Sequence, residues 1–202
     1  MKIGCIGGHG GPSNRGCFIR SYGDEADYTL LMSRKLHAAL PGSVLLRPYD
    51  QTLSLKERGQ LAKANQCDVV ISLHVNAVPG NGLYGFSAWH WPGNARMQKL
   101  GKRILTLIPP ELRVKRFDGT RSCRSLVSAI DERHIDDDKR WRMRGRAVLG
   151  CYPCDTLLLE LGFGATDYSA LLDRMIQDNL CLAIERAIGE QYNGINGQHT
   201  AS

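Results

Sequence analysis

The sequence predicts a single α/β domain, a sandwich with a mostly parallel central sheet flanked by helices. Two continuous apolar runs, DVVISL at 68–73 and TLLLEL at 156–161, have the character of strands covered on both faces. Around them lie stretches whose apolar residues recur at helical spacing, the longest over 167–188. The size agrees: 202 residues with 43% hydrophobic content fill one core of this kind and leave too little for two.

Taken in order, the first strand covers residues 2–6 and stops at Gly7-Gly8-His9-Gly10-Gly11-Pro12, a run that continues neither strand nor helix. After a polar loop to about Gly23, a helix is expected from Asp24. Tyr28, Leu31, Met32, Lys35, Leu36, Ala39 and Leu40 mark one face of it, and Pro41-Gly42 ends it. Residues 43–47 read as a short apolar strand, and Ser54-Leu55-Lys56-Glu57 is a capping box opening a helix to about Asn65. The strand at 68–73 runs into His74-Val75-Asn76-Ala77. A strand over 85–91 and a helix over 95–107 follow. Residues 109–150 are basic with little period, and read as loops around one or two short helices. The strand at 156–161 leads to the helix over 167–188. A single folded domain is therefore expected over 1–189, with 190–202, polar and rich in Gly and Asn, as a disordered tail.

A net charge of +6 favours anionic partners, among them nucleic acid and the bacterial envelope. No basic-aromatic stacking motif supports nucleic acid. The densest basic stretch, Lys139 to Arg146, follows Asp136-Asp137-Asp138 and has the look of a solvated surface. Seven cysteines at irregular spacing (Cys5, Cys17, Cys67, Cys123, Cys151, Cys154, Cys181) make a poor disulfide framework and suit a reducing compartment. Cys151-Tyr152-Pro153-Cys154 has no second pair to complete a zinc ribbon, and reads as small residues at the start of a buried strand. There is no run of about 20 apolar residues, so no membrane span is expected. Met1-Lys2 leads straight into the first strand with no secretory signal, which implies synthesis in the cytoplasm.

In sheets of this type, ligands gather at the carboxyl ends of strands. His9 follows the first strand, His74 follows DVVISL, and Glu160 lies in the last strand. A hydrolytic zinc site needs about three His or carboxylate ligands and an open position. The metal lowers the pKa of bound water from 15.7 to about 7, and a nearby carboxylate can relay its proton to a leaving amine. His9, His74 and Glu25 could supply the ligands and Glu160 the relay, with the glycines around His9 allowing close backbone approach. Each residue alone has an ordinary explanation. His9 could be a turn residue, Glu25 could complement a helix dipole, and His74 could be a satisfied core histidine. Glu160 is harder to dismiss, because a carboxylate inside Leu157-Leu158-Leu159-Glu160-Leu161 is costly to bury without a partner.

Gly8-His9-Gly10-Gly11 after a short strand, a Glu opening the first helix, Ser72-Leu73-His74-Val75-Asn76-Ala77 and Leu159-Glu160-Leu161-Gly162-Phe163 resemble the N-acetylmuramoyl-L-alanine amidases of the AmiC/CwlV type. Arg47-Pro48-Tyr49-Asp50, Ser54-Leu55 with Arg58, Ala64-Asn65 and Asp167 before Leu171 fall in the same order, so the resemblance runs from residue 2 to about 188. It implies zinc (Zn2+) held by His9, Glu25 and His74, with Glu160 as the catalytic carboxylate and Asn76 orienting substrate. The implied reaction is hydrolysis of the amide between N-acetylmuramic acid and L-alanine in bacterial peptidoglycan. The usual Asp-Pro before Gly-His-Gly is replaced by Ile6-Gly7-Gly8, and residues 109–150 match poorly. Asp24 and Asp27 lie close to Glu25 as neighbouring carboxylates.

Three rival readings remain at this level. They are a different zinc hydrolase such as a carboxypeptidase, a catalytically silent peptidoglycan-binding or regulatory module of the same fold, and a nucleic-acid binder suggested by charge alone. The expected setting is that of a phage or prophage endolysin, a bacteriolytic monomer made without a signal peptide and acting on the host cell wall. A cellular amidase lacking its export signal is the alternative.

Overall fold

The computed structural model describes residues 1–77, 83–91, 93–112, 115–116, 127–129 and 147–192. The central sheet is built from β1 (Ile3–Gly7), β4 (Val44–Leu45), β5 (Val69–Asn76), β7 (Ser87–His90), β9 (Val127–Ala129) and β10 (Asp155–Phe163). Its order is β4-β1-β5-β10-β7-β9, and every neighbouring pair is parallel except β10 with β7. The expected α/β class with a mostly parallel sheet is therefore what the chain adopts. Two short ribbons accompany the sheet: β2 (Phe18–Ile19) with β3 (Gly23–Asp24), and β6 (Leu83–Tyr84) with β8 (Lys115–Arg116).

Side-chain alternation along the strands explains the layering. Val69, Ile71, Leu73 and Val75 of β5 and Leu157, Leu159 and Leu161 of β10 join the larger core. That core also takes residues of α1 (Glu25–Ala39), α3 (Ala95–Leu107) and the last helix. The intervening Val70 faces a smaller cluster with Ile6, Leu46, Ala62 of α2 (Leu55–Ala64) and Tyr152. His74 and Glu160 share the parity of Val70 and Leu158, so they sit on the α2 side of the sheet. Helices thus cover both faces, and the polar pair emerges on one of them.

Helix boundaries follow local chemistry. The capping box at the start of α2 is formed: Ser54 Oγ accepts from the Glu57 amide at 3.2 Å, and the Glu57 carboxylate accepts from the Ser54 amide at 2.7 Å. The expected single helix over 167–188 is two helices, α4 (Tyr168–Leu172) and α5 (Arg174–Tyr192). Asp173 leaves helical geometry and caps α5 by accepting from the Ile176 amide at 3.0 Å. The Leu171 carbonyl freed by the break accepts from Tyr28 Oη at 2.9 Å and Gln177 Nε2 at 2.7 Å. Asp173→Ala should cost about 1 kcal/mol through the lost cap. A thermal melt should show this as a fall of about 2–4 °C.

Between 109 and 150 the described residues hold a 3-10 turn at Pro110–Leu112, β8, β9 and a helical turn at 147–150. The two strands are a correction to the loop-and-short-helix expectation, since partners distant in sequence pair them. The basic stretch 139–146 and Cys123 lie outside the described residues. α5 carries helix to Tyr192, past the expected boundary at 189, and residues 193–202 lie outside the described residues. No described helix is long and apolar enough to cross a membrane. Cys151 and Cys154 are unpaired thiols just before β10, and burial pushes both up to about 11, which keeps them protonated and unreactive.

Candidate metal centre

The register of the sheet brings the predicted residues together. Gly7 is opposite Leu73 on β5, and Glu160 of β10 is opposite His74. Gly8, His74 and Glu160 therefore lie side by side at the carboxyl ends of three adjacent parallel strands, with His9 one residue further along. Ser87 of the antiparallel β7 is opposite Glu160 on its other side. Glu25 arrives from a different direction, as the first residue of α1.

One donor atom from each of His9, Glu25 and His74 lies within 4.8 Å of the others. His9 Nε2 is 3.3 Å from Glu25 Oε2, and His74 Nδ1 is 3.2 Å from Glu25 Oε1. Glu25 is 2% exposed and is fixed by two backbone donors, the Cys17 amide at 2.9 Å and the Val75 amide at 3.0 Å. Burial alone would raise its carboxyl, but hydrogen bonds from His74 and His9 more than offset that and hold it well below the usual range. Asp24 and Asp27, its neighbours in sequence, instead pair with Arg15 and are drawn away from the histidines. Burial lowers His74 and favours its neutral imidazole, the form that binds a metal. On the more open His9, burial pulls the same way, but Glu25 outweighs it and the net shift is upward.

Two glycines are required by close approach. A Cβ on Gly8 would lie 2.4–2.8 Å from ring atoms of His74, and one on Gly16 would lie 2.4 Å from Glu25 Oε2. The His9 backbone has φ 57°, a left-handed conformation that costs a residue with a Cβ about 1–2 kcal/mol. Asn14 turns this into a defined ring position. Its Oδ1 is 2.7 Å from His9 Nδ1, and as a carbonyl acceptor it takes the Nδ1 proton, so that Nε2, the nitrogen facing Glu25, is the one available to a metal.

The fit to a metal is tested by atoms left without partners. Among the described residues, His74 Nε2 and Glu160 Oε2 are both buried without a hydrogen bond. A buried polar atom in that state costs free energy unless a ligand or ion completes it. Two imidazoles and a carboxylate form a donor set suited to zinc, with positions left open. Glu160 is half-buried as a residue, but its carboxyl is pushed well above the usual range by burial and then by the charge of Glu25. Asn76, at the end of β5, uses its carbonyl to accept from the Gly164 amide at 3.2 Å, which ties the His74 strand to the loop after Glu160. That loop is set by Asp167, whose Oδ2 accepts from the amides of Phe163 and Gly85, each at 2.7 Å, across a register shift in β10 between Glu160 and Phe163.

Sequence reasoning assigned no role to Asn14, Arg47, Arg58 or Cys17. Arg47 carried the same signal that singled out Glu160, a charge closing the apolar run Val44-Leu45-Leu46. Asn14 and Cys17 sit in an aperiodic loop, where spacing carries no information.

Sheet, register and donors together define an α/β protein with a candidate metal centre at the carboxyl ends of its parallel strands. Residues 3–190 match the profile of the N-acetylmuramoyl-L-alanine amidases, and the chain belongs to that family. Among solved structures, the amidase AmiC2 of Nostoc punctiforme has a TM-score of 0.70 at 22% identity, covering 96% of this chain and 97% of that one. The catalytic domain of CwlV from Paenibacillus polymyxa has a TM-score of 0.70 at 19% identity, over 96% and 99% of the two chains. The N-acetylmuramoyl-L-alanine amidase of Clostridium difficile 630 has a TM-score of 0.69 at 22% identity, over 100% and 98%. At these identities the likeness is one of fold. An amidase of the same name from Buchnera aphidicola is 28% identical over 110 residues, and the match spans 52% of this chain and 50% of that protein.

Proposed function

We propose that this chain hydrolyses the amide joining the lactyl group of N-acetylmuramic acid to L-alanine in bacterial peptidoglycan, with zinc held by His9, Glu25 and His74. The observation that carries the reading is the convergence of those three donors within 4.8 Å, with Glu160 Oε2, unpartnered among the described residues, on the adjacent strand, in a chain of this family. Bound there, zinc would lower the pKa of a coordinated water toward 7 and polarise the scissile carbonyl.

The remaining work falls to the protein. Glu160 takes a proton from the attacking water at Oε2 and returns it to the departing nitrogen of L-alanine, so that one C–N bond breaks as one C–O bond forms. Its half-buried setting supports this role, since a raised carboxyl binds a proton in transit more readily than a solvated one. Glu25, held by two amides, keeps the two imidazoles in place as charge changes beside them. Asn76, two residues beyond His74 on β5, would orient the substrate amide. A lytic role in the manner of endolysins extends the same reading, supported by the +6 charge that would hold the enzyme on an anionic envelope. Cell lysis on co-expression with a holin, and none without it, tests that part.

The chemistry is tested by turbidity loss of purified peptidoglycan with zinc-loaded and chelator-treated protein, together with mass spectrometry of the products. Free stem peptides beginning at L-alanine, absent after chelation and restored by added zinc, are expected. Glycan cleavage products, or lysis that survives chelation, would refute the proposal. Binding without lysis would point to a silent wall-binding module.

A further inference from the structure

Two buried arginines hold the loop that carries His9. Arg58, on α2 and 4% exposed, donates from Nη1 to the Gly7 carbonyl at 3.0 Å, from Nη2 to the His9 carbonyl at 2.6 Å and from Nε to the Leu53 carbonyl at 3.3 Å. Arg47, 0% exposed, donates to the carbonyls of Gly7 at 3.3 Å, Gly8 at 3.3 Å and Ala26 at 3.0 Å. Among the described residues Arg58 pairs with no carboxylate, and Arg47 has Asp50 at 3.5 Å. A buried guanidinium without a close counter-ion is costly to keep. Here each one is satisfied mainly by main-chain carbonyls. Apart from that of Leu53, those carbonyls belong to the consecutive residues Gly7, Gly8 and His9 and to Ala26, the residue after Glu25.

We infer that Arg58, backed by Arg47, is a positioning residue for metal binding. It holds His9 in the left-handed conformation, so that the imidazole already faces Glu25 and His74 before an ion arrives. The inference rests on the zinc reading of the site. With the clamp removed, the His9 backbone is free to relax toward negative φ, and the metal must then order the loop as it binds. The planar fork of Arg58 spans two carbonyls two residues apart, whereas a lysine ammonium is a point donor on a flexible stem. The conservative replacement should therefore recover only part of the effect.

The experiment is Co2+ titration of the metal-free full chain as wild type, Arg58→Met, Arg58→Lys and Gln177→Ala, read by visible absorption of the bound cobalt, with circular dichroism as the folding control. Gln177→Ala also loses a buried hydrogen bond, but at the α4–α5 break on the other face of the sheet. Arg58→Met is expected to bind Co2+ on the order of 10–100-fold more weakly, as loss of outer supports does at metal sites, and to give an altered cobalt spectrum. Arg58→Lys should fall between, and Gln177→Ala should match wild type. Wild-type affinity and spectrum in a folded Arg58→Met chain would overturn the inference. An equal loss in Gln177→Ala would also overturn it, by showing general destabilisation. Should Arg58→Met not fold, wild-type cobalt binding by Arg58→Lys would overturn it. Failure of wild type itself to bind Co2+ would sink the metal reading instead, and the inference with it.

Discussion

Glu160→Gln is expected to stay folded and to hydrolyse peptidoglycan about 10²–10⁴-fold more slowly than wild type, the contribution typical of a positioned proton carrier. The amide keeps the shape of the carboxylate but cannot take up the water's proton. Stability should move in the opposite direction. In the metal-free protein, burial and the charge of Glu25 raise the Glu160 carboxyl above its unfolded value, about 4.3. A group raised on folding contributes stability below its unfolded pKa, and that contribution is lost as pH rises through the folded pKa. Removing the ionisable group should therefore raise the melting temperature of the metal-free chain at pH 7 relative to wild type, with the gap closing near pH 4. Differential scanning fluorimetry across that range, beside a turbidity assay of the zinc-loaded variant, checks both halves. Wild-type hydrolysis by Glu160→Gln would remove Glu160 from the chemistry.

The second large effect belongs to Glu25, where structure and proposed function meet in one side chain. Glu25→Ala deprives the Cys17 and Val75 amides of their acceptor and removes the carboxylate shared by His9 and His74. Leaving buried donors unpaired costs about 1–3 kcal/mol per group. A total near 3 kcal/mol, discounted for water entering the space, corresponds to a melting temperature lower by roughly 6–12 °C. Metal binding should fall below detection at micromolar zinc, because two imidazoles alone form an incomplete site. Calorimetric zinc titration and a thermal melt test the two losses separately. A variant that loses stability but still binds zinc as wild type does would make Glu25 a scaffold residue only.

The parts of this architecture legible in the sequence were those with a local cause. The capping box at Ser54 and Glu57, the helix over 95–107 and the continuous apolar strands behave as their patterns require, to within a residue or two at most ends. His9, His74 and Glu160 were visible as polar residues at strand ends. The structure adds the reason they meet, a register that sets Glu160 opposite His74. The break at Asp173 was not visible, because the apolar period runs on through Leu171, Leu172, Met175 and Ile176. What interrupts the helix is a cap together with a tertiary donor, Tyr28, and a side-chain donor from the next turn, Gln177. Nor could periodicity place β7 between β10, to which it is antiparallel, and β9, to which it is parallel, since pairing partners so far apart in sequence leave no local mark. The arginines illustrate the same limit at the site. A guanidinium that serves backbone carbonyls needs no partner of any particular type, so Arg47 and Arg58 have no complementary residue to be found by spacing.

The most direct test of the central claim is zinc-dependent recovery of hydrolysis by the metal-free chain. Peptidoglycan is digested at increasing zinc per chain, and the release of stem peptides with a free L-alanine amino terminus is followed by mass spectrometry. The account predicts no release without metal and a linear rise that saturates at one zinc per chain, with no rise for His74→Ala. Full release by metal-free protein, or recovery by His74→Ala matching wild type, would contradict it.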